Sequence, residues 1–163
     1  MRIQLFNKDI NEHALVMNTI KATLTDLCTD LYIDHSPSLH KLSKVQHLIT
    51  CFKGKIKSNK NILDIIHCLH PTPAVGGIPK AAAINFLSTY ETMDRGWYAG
   101  PIGWINSDGD GEFMVALRSG MIHEDNAVLF AGCGIVAGSE AESEFQETEL
   151  KFSTMLDAII AKN

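Results

Sequence analysis

Glu144, Glu147 and Lys151 follow one another at spacings of three and four in "ESEFQETELK", which sets two carboxylates and an ammonium along one edge of a helix. Such an edge could hold a divalent cation together with a carboxylate ligand. Hard oxygen donors suit Mg2+, an ion that keeps several of its waters. The same spacing equally describes a solvated helix face with a weak Glu147–Lys151 ion pair. "NKDINEHA" repeats the ambiguity: Lys8 and Glu12 stand four apart and Asp9 and Glu12 three apart, at a helix start where the dipole favours acids. Arg118 is a third candidate. Alternation along "GEFMVALRS" puts it on one strand face with Met114 and Ala116, and a cation among apolar side chains needs an anionic partner. His47 alternates with Val45 and Ile49 as a core-edge histidine, His70 precedes Pro71, and Cys133 between two glycines reads as a small packing residue.

Backbone chemistry offers further candidates. "LHPTPAVGGIPKAAA" spends Pro71, Pro73 and Pro79 on fixed φ and Gly76 and Gly77 on permissive φ, just before an alanine-rich helix. It is a built loop feeding a helix N-terminus, either an anion-binding turn or a plain connection between helices. "NSDGDGEFMVAL" imitates a calcium loop but puts Leu117 where the bidentate glutamate must be, so it is a hairpin turn. "GCGIVAG" imitates a dinucleotide fingerprint with its third glycine, Gly138, one residue late. Gly132 and Gly134 still permit close approach of the backbone to a ligand, or a β-bulge.

These residues need elements to hold them. Met17, Ile20, Leu24, Leu27 and Leu31 recur at helical spacing, which predicts one long helix from Glu12 to Leu31 with His13 on the same stripe. "KVQHLITCFKGKI" alternates and predicts a strand ending near Gly54. A short helix over Ile62 to Leu69 and a helix from Lys80 to Met93 follow. "WYAGPIGWIN", "GEFMVALRSGMIH" and "NAVLFAGCGIV", separated by "SDGDG" and "HEDN", predict an antiparallel β-meander. A last helix from Ser139 presents Phe145, Thr148, Phe152, Met155 and Ile159 as its buried stripe. The fold class is α+β, an antiparallel β-meander with packed helices.

With 163 residues, 45% of them hydrophobic, the chain fits one domain. A net charge of −5 without a basic cluster argues against nucleic acid. Cys28, Cys51, Cys68 and Cys133 lie too far apart for a zinc knuckle or a dense disulfide framework, so reduced thiols and a cytoplasmic location are expected. No apolar run is long enough to span a bilayer and the first residues lack a signal-peptide pattern.

Taken in order, "NKDINEHALV", "KLSKVQHLIT", "LHPTPAVGGIPKAAA", "DRGWYAGPIGW", "GDGEFMVALRS", "LFAGCGIV" and "EFQETELKFSTMLDAI" resemble the C-terminal part of the chorismate-utilising enzymes, most of all the isochorismate synthases of menaquinone and siderophore pathways. The resemblance runs from about Lys8 to Ile159. It implies a partial fold of the anthranilate synthase component I type, residues 1–163 being the C-terminal portion of a chorismate-binding catalytic domain. It implies Mg2+ on Glu12 and Glu147, with Asp9 and Glu144 beside them. The substrate chorismate would meet His47, Ala74, Tyr98, Arg118, Gly132, Gly134 and Lys151. The family's general base, a lysine, and its general acid, a glutamate, precede the first matched block, so no catalytic residue is expected within this chain. A missing N-terminal segment or a second chain would supply them. A non-catalytic chorismate- and Mg2+-binding fragment and a salicylate synthase-like lyase are the alternatives. Ser43 and Lys44 depart from the arginine and asparagine common in relatives, and Cys133 from alanine.

Overall fold

In the computed structural model, which describes residues 7–41 and 46–160, the predicted first helix is α1 (Asn7–Leu27). Met17, Ile20 and Leu24 lie half-buried along its stripe, and Leu27 at its end is 5% exposed. The helix stops four residues short of the prediction. Cys28–Ile33 instead forms β1, where the run "CTDLYI" finds an antiparallel partner in β4 (Phe52–Ile56), with Cys28 opposite Ile56 and Ile33 opposite Phe52. Leu31 therefore packs from a strand rather than from the helical stripe.

The single strand predicted through "KVQHLITCFKGKI" is two strands in different hairpins. β2 (Ser38–Lys41) pairs with β3 (Gln46–Ile49), setting His40 opposite His47, while the chain beyond Cys51 joins β1 as β4. Asp34 marks the division: its N–H donates to Cys51 O at 3.1 Å and its carboxylate accepts from Cys51 N–H at 2.9 Å. Val45, with Ser43 and Lys44, falls outside the described residues. On β3 the half-buried positions are Gln46 and Leu48, and the face that carries His47 and Ile49 is open.

α2 (Ile62–Leu69) spans the predicted residues. Asn61 caps it, accepting from the N–H groups of Leu63 and Asp64, and Asp64 answers by accepting from Asn61 N–H. The proline- and glycine-rich loop contains a single helical turn, α3 (Pro73–Gly76), before α4 (Lys80–Tyr90). Gly77 takes φ +74, and a Cβ there would lie 2.7 Å from the Ala83 Cβ, so this position requires glycine twice over.

β5 (Pro101–Ile105) and β6 (Gly111–Val115) form a hairpin closed by Asn106, whose side-chain oxygen accepts from the N–H groups of Asp108 and Asp110 at 3.0 and 2.9 Å. β7 (Gly120–His123) and β8 (Asn126–Leu129) form a second hairpin. The α+β class and antiparallel pairing hold, but the meander is interrupted: among the described residues no ladder joins β6 to β7. The break lies where Leu117 N–H turns back to Val115 O at 2.7 Å and Arg118 takes φ +50. Arg118 thus sits at a corner, and strand alternation does not assign its face. "GCGIV" is likewise irregular rather than strand.

α5 (Ala141–Ile160) buries less than its pattern promises. Thr148, Phe152 and Met155 are half-buried, Phe145 and Ile159 are exposed, and its one buried residue is Glu144. Among the described residues only Leu27 and Ala99 are fully buried hydrophobics. The chain exposes 12106 Å², against about 8,000 Å² for a folded monomer of this length. Much of the excess is apolar: Trp97 is 92% exposed and Ile122 71%.

Candidate functional site

The site forms where the first turns of α1 and α5 meet the irregular segment after β8. Lys8 on α1 reaches across to pair with Glu144 on α5. Spacing had suggested Glu12 as its neighbour; the observed partner is 136 residues away in the chain. Burial alone would lower the Lys8 ammonium, but the hydrogen bond and charge of Glu144 outweigh it and hold it raised. Burial would in turn raise the Glu144 carboxyl, yet Lys8, with Ser139 and Cys133 close by, holds it below its usual range. Neither Ser139 nor Cys133 meets hydrogen-bond geometry at the second carboxylate oxygen. Glu144 Oε2 is buried without a partner among the described residues, an arrangement that is costly unless something completes it.

One turn further along each helix stand Glu12 and Glu147. The Glu12 carboxyl is raised, first by burial and then by the charge of Glu147, with Lys8 and Lys151 offsetting part of the repulsion. Gly134 lies directly against it: a Cβ there would collide with Glu12 Oε1. The glycine therefore serves close approach of backbone to carboxylate. Lys151 bonds Glu147 at 2.5 Å and donates to the Gly132 carbonyl at 2.9 Å, tying α5 to the glycine segment.

The remaining charges approach from the strands. His47, although on the open face of β3, is partly desolvated by its neighbours and is lowered first by that, then by the nearby Arg118 and Lys151, with Glu147 opposing them. Arg118 is half-buried, and among the described residues no carboxylate lies within ion-pair distance of it. Tyr98 is raised mainly by burial and also feels Arg118. Its ring stacks on Phe130 with centroids 5.2 Å apart, and its hydroxyl would be 3.6 Å from a Cβ placed on Gly132. Glu12, His47, Tyr98, Arg118, Gly132, Gly134, Glu147 and Lys151 are thus linked by contact or field into one group. Asp9 is half-buried in the first turn of α1. Ala74 is exposed on α3 and is not brought into the group; its neighbour Val75 accepts from Arg95, whose main-chain carbonyl accepts the Tyr98 N–H.

The carboxylates fit a hard divalent cation: Glu144 Oε2 is an acceptor without a partner among the described residues, and the repulsion between Glu12 and Glu147 would be relieved by positive charge. Among the described residues no three His, Cys, Asp or Glu side chains close into a cage, so such an ion would be held by one or two carboxylates and water. That Lys8 and Cys133 neighbour Glu144 is not visible in the sequence. Helical spacing carries no information about a partner on another helix, and Cys133 had only its two glycines to suggest an unusual setting. A separate cavity of about 470 Å³, lined by His70, Val75, Leu87, Glu91, Arg95 and Tyr98 among others, lies on the α4 side of Tyr98 and includes none of these carboxylates.

The chain is similar to known proteins over most of its length. The chain is 45% identical over 154 residues to the salicylate biosynthesis isochorismate synthase of Pseudomonas aeruginosa, covering 94% of this chain and 32% of that protein. The solved structure of DhbC from Bacillus anthracis superposes with a TM-score of 0.90 at 40% identity, over 94% of this chain and 41% of that one. Anthranilate synthase component I from Streptococcus pneumoniae superposes with a TM-score of 0.84 at 28% identity, over 93% and 35%. The chain therefore spans 32–41% of the length of these three relatives. No described helix is long and apolar enough to cross a membrane. Residues 4–160 match the family model described as chorismate binding enzyme, and with that match across nearly its whole length the chain belongs to the chorismate binding enzyme family.

Proposed function

We propose that this chain is the chorismate- and Mg2+-holding portion of an isochorismate synthase, which replaces the ring C4 hydroxyl of chorismate by water entering at C2. One observation carries the reading. Arg118, a half-buried guanidinium with no ion-pair partner among the described residues, shares the neighbourhood of His47 with Lys151, while Glu12 and Glu147 crowd together on the adjoining helices. A small ligand with two carboxylates and a divalent cation would satisfy both poles at once.

In this reading Arg118, with Tyr98 beside it, binds the enolpyruvyl carboxylate. Lys151 and the backbone at Gly132 and Gly134 border the ring carboxylate, His47 contacts the ligand, and Ala74 faces the reacting ring edge. Glu12 and Glu147 hold Mg2+, with Asp9 and Glu144 alongside. Bound there, the ion would supply positive charge against the ring carboxylate. The reaction also needs a base to take a proton from the entering water and an acid to give one to the leaving hydroxyl. Those two groups lie outside this chain, on a complementary segment or second chain that also covers the open hairpin faces. The surface excess of about 4,000 Å² over a folded monomer and the 41% coverage of the DhbC fold support that partner.

The test is chromatographic. Incubated with chorismate and Mg2+, the chain alone is expected to bind chorismate and return it unchanged. Isochorismate is expected once the complementary segment is supplied; salicylate would identify a lyase instead. Arg118→Ala should weaken binding by about tenfold or more. Unaltered Mg2+-dependent binding in Glu147→Gln would remove the metal assignment.

A further inference from the structure

We propose that Glu91 and Arg95 form a positioning clamp that fixes the Ala74 turn relative to Tyr98, an inference that rests on the chorismate-binding reading above. Arg95 grips Glu91 with both ends of its fork, Nε to Oε1 and Nη2 to Oε2, each at 2.7 Å. That leaves Nη1 free to donate to the Val75 carbonyl at 2.9 Å. Val75 is the last residue but one of the single turn α3, and carbonyls at a helix end have no intrahelical partner. Arg95 satisfies this one from outside the turn. Its own main-chain carbonyl accepts the Tyr98 N–H at 2.8 Å. One residue therefore holds the Ala74 turn with its side chain and the Tyr98 wall with its backbone.

The rest of the turn is already constrained, so the clamp sets its placement and not its shape. Gly76 N–H donates to Thr72 O at 2.9 Å, and a Cβ on Gly76 would meet the Pro71 ring at 2.7 Å. Glu91 is anchored in its turn as the C-cap of α4, its N–H on Leu87 O. The Arg95 and Glu91 side chains are 30% and 19% exposed, and the carboxylate fork holds the guanidinium above its usual pKa range, against the effect of burial. Arginine is specific to this task. A lysine could hold Glu91 or Val75 O but could not present three donors in one rigid plane. Neither residue is among the ligand contacts proposed above, so both act through the turn.

The full chain and its Arg95→Lys and Glu91→Gln variants decide the matter by amide exchange and by ligand binding. Exchange at Gly76 and Gly77 is expected to quicken roughly fivefold in Arg95→Lys with α1 amides unchanged. Mg2+-dependent chorismate binding is expected to weaken about tenfold, while binding of Mg2+ alone stays the same. Glu91→Gln should show both effects in smaller degree, and the double variant should be no worse than Arg95→Lys, since both remove one strut. Unchanged exchange at the turn, or an equal loss of Mg2+ binding, would overturn the clamp. Should Arg95→Lys not fold, the same readouts on Glu91→Gln decide. If the unaltered chain binds no chorismate, the functional reading fails while the exchange result still judges the clamp.

Discussion

Leu27 and Ile122 are both branched aliphatic residues in regular structure, yet Leu27 is 5% exposed and Ile122 is 71% exposed. The difference separates two regions. Through residue 90, α1 packs against β1, β4, α2 and α3, and its apolar stripe has something to cover it. From residue 101 to 129, the hairpins β5–β8 satisfy their backbones within pairs and leave their side chains in the open: every residue of β5 and β7 is exposed. Backbone pairing is local and completes itself, whereas an apolar face needs a second layer. The hairpins have the first without the second.

The contrast is broken most directly by truncation. Leu27→Ala should cost about 3 kcal/mol in denaturant unfolding, from lost burial and an unfilled cavity. Ile122→Ser should change the chain by less than about 0.5 kcal/mol, since it removes no buried contact. Equal losses would mean that the hairpin face is already covered, and the complementary segment would lose its physical motive.

A somewhat smaller effect tests the junction between α1 and α5. Lys8→Met leaves Glu144 buried with neither oxygen paired to a cation. Because Lys8 is 23% exposed, the expected loss is about 2 kcal/mol, less than for a fully buried pair. If the carboxylates accept a divalent ion, Mg2+ should stabilise Lys8→Met more than it stabilises the unaltered chain. Equal stabilisation of the two would separate Glu144 from the metal.

Local signals are legible in the sequence and long-range ones are not. The Ile62–Leu69 helix could be placed from its own residues because Asn61 and Asp64 cap it without outside help. The Asn106 turn was equally legible, since one side chain closes it. Helical spacing continues through Leu31, four residues past the end of α1, and only the pairing of β1 with β4 shows that Leu31 belongs to a strand. Arg118 was assigned to a strand face by an alternation that its positive φ interrupts. Pairing partners and corners depend on distant residues, so spacing alone does not report them. Among the candidate carboxylates, spacing identified Glu12, Glu144 and Glu147, but the pairing of Glu144 with Lys8 exists only across the fold.

A final and smaller effect lets pH distinguish the regions. His13, His47 and His70 are all lowered from their usual value of 6.5, chiefly by burial, and all lie in the region before residue 90. Between the lowered value and 6.5 the folded chain holds fewer protons than the unfolded one, so their contribution is complete above 6.5 and lost as pH falls through the folded value. Glu12 acts in the opposite sense: with its carboxyl raised, its contribution is present below 4.5 and lost as pH rises through the folded value. One histidine must therefore be isolated. His13 Nε2 lies 2.8 Å from Thr50 Oγ1, a contact that His13→Gln can keep without the titration. From pH 7.5 down to 5.5 the urea midpoint should fall for the unaltered chain and fall less for His13→Gln. Exchange should quicken in α1 before it does in β5–β8, because acid acts on the region that is packed. Identical pH profiles for the two proteins would show that burial at His13 is too slight to couple protonation to folding.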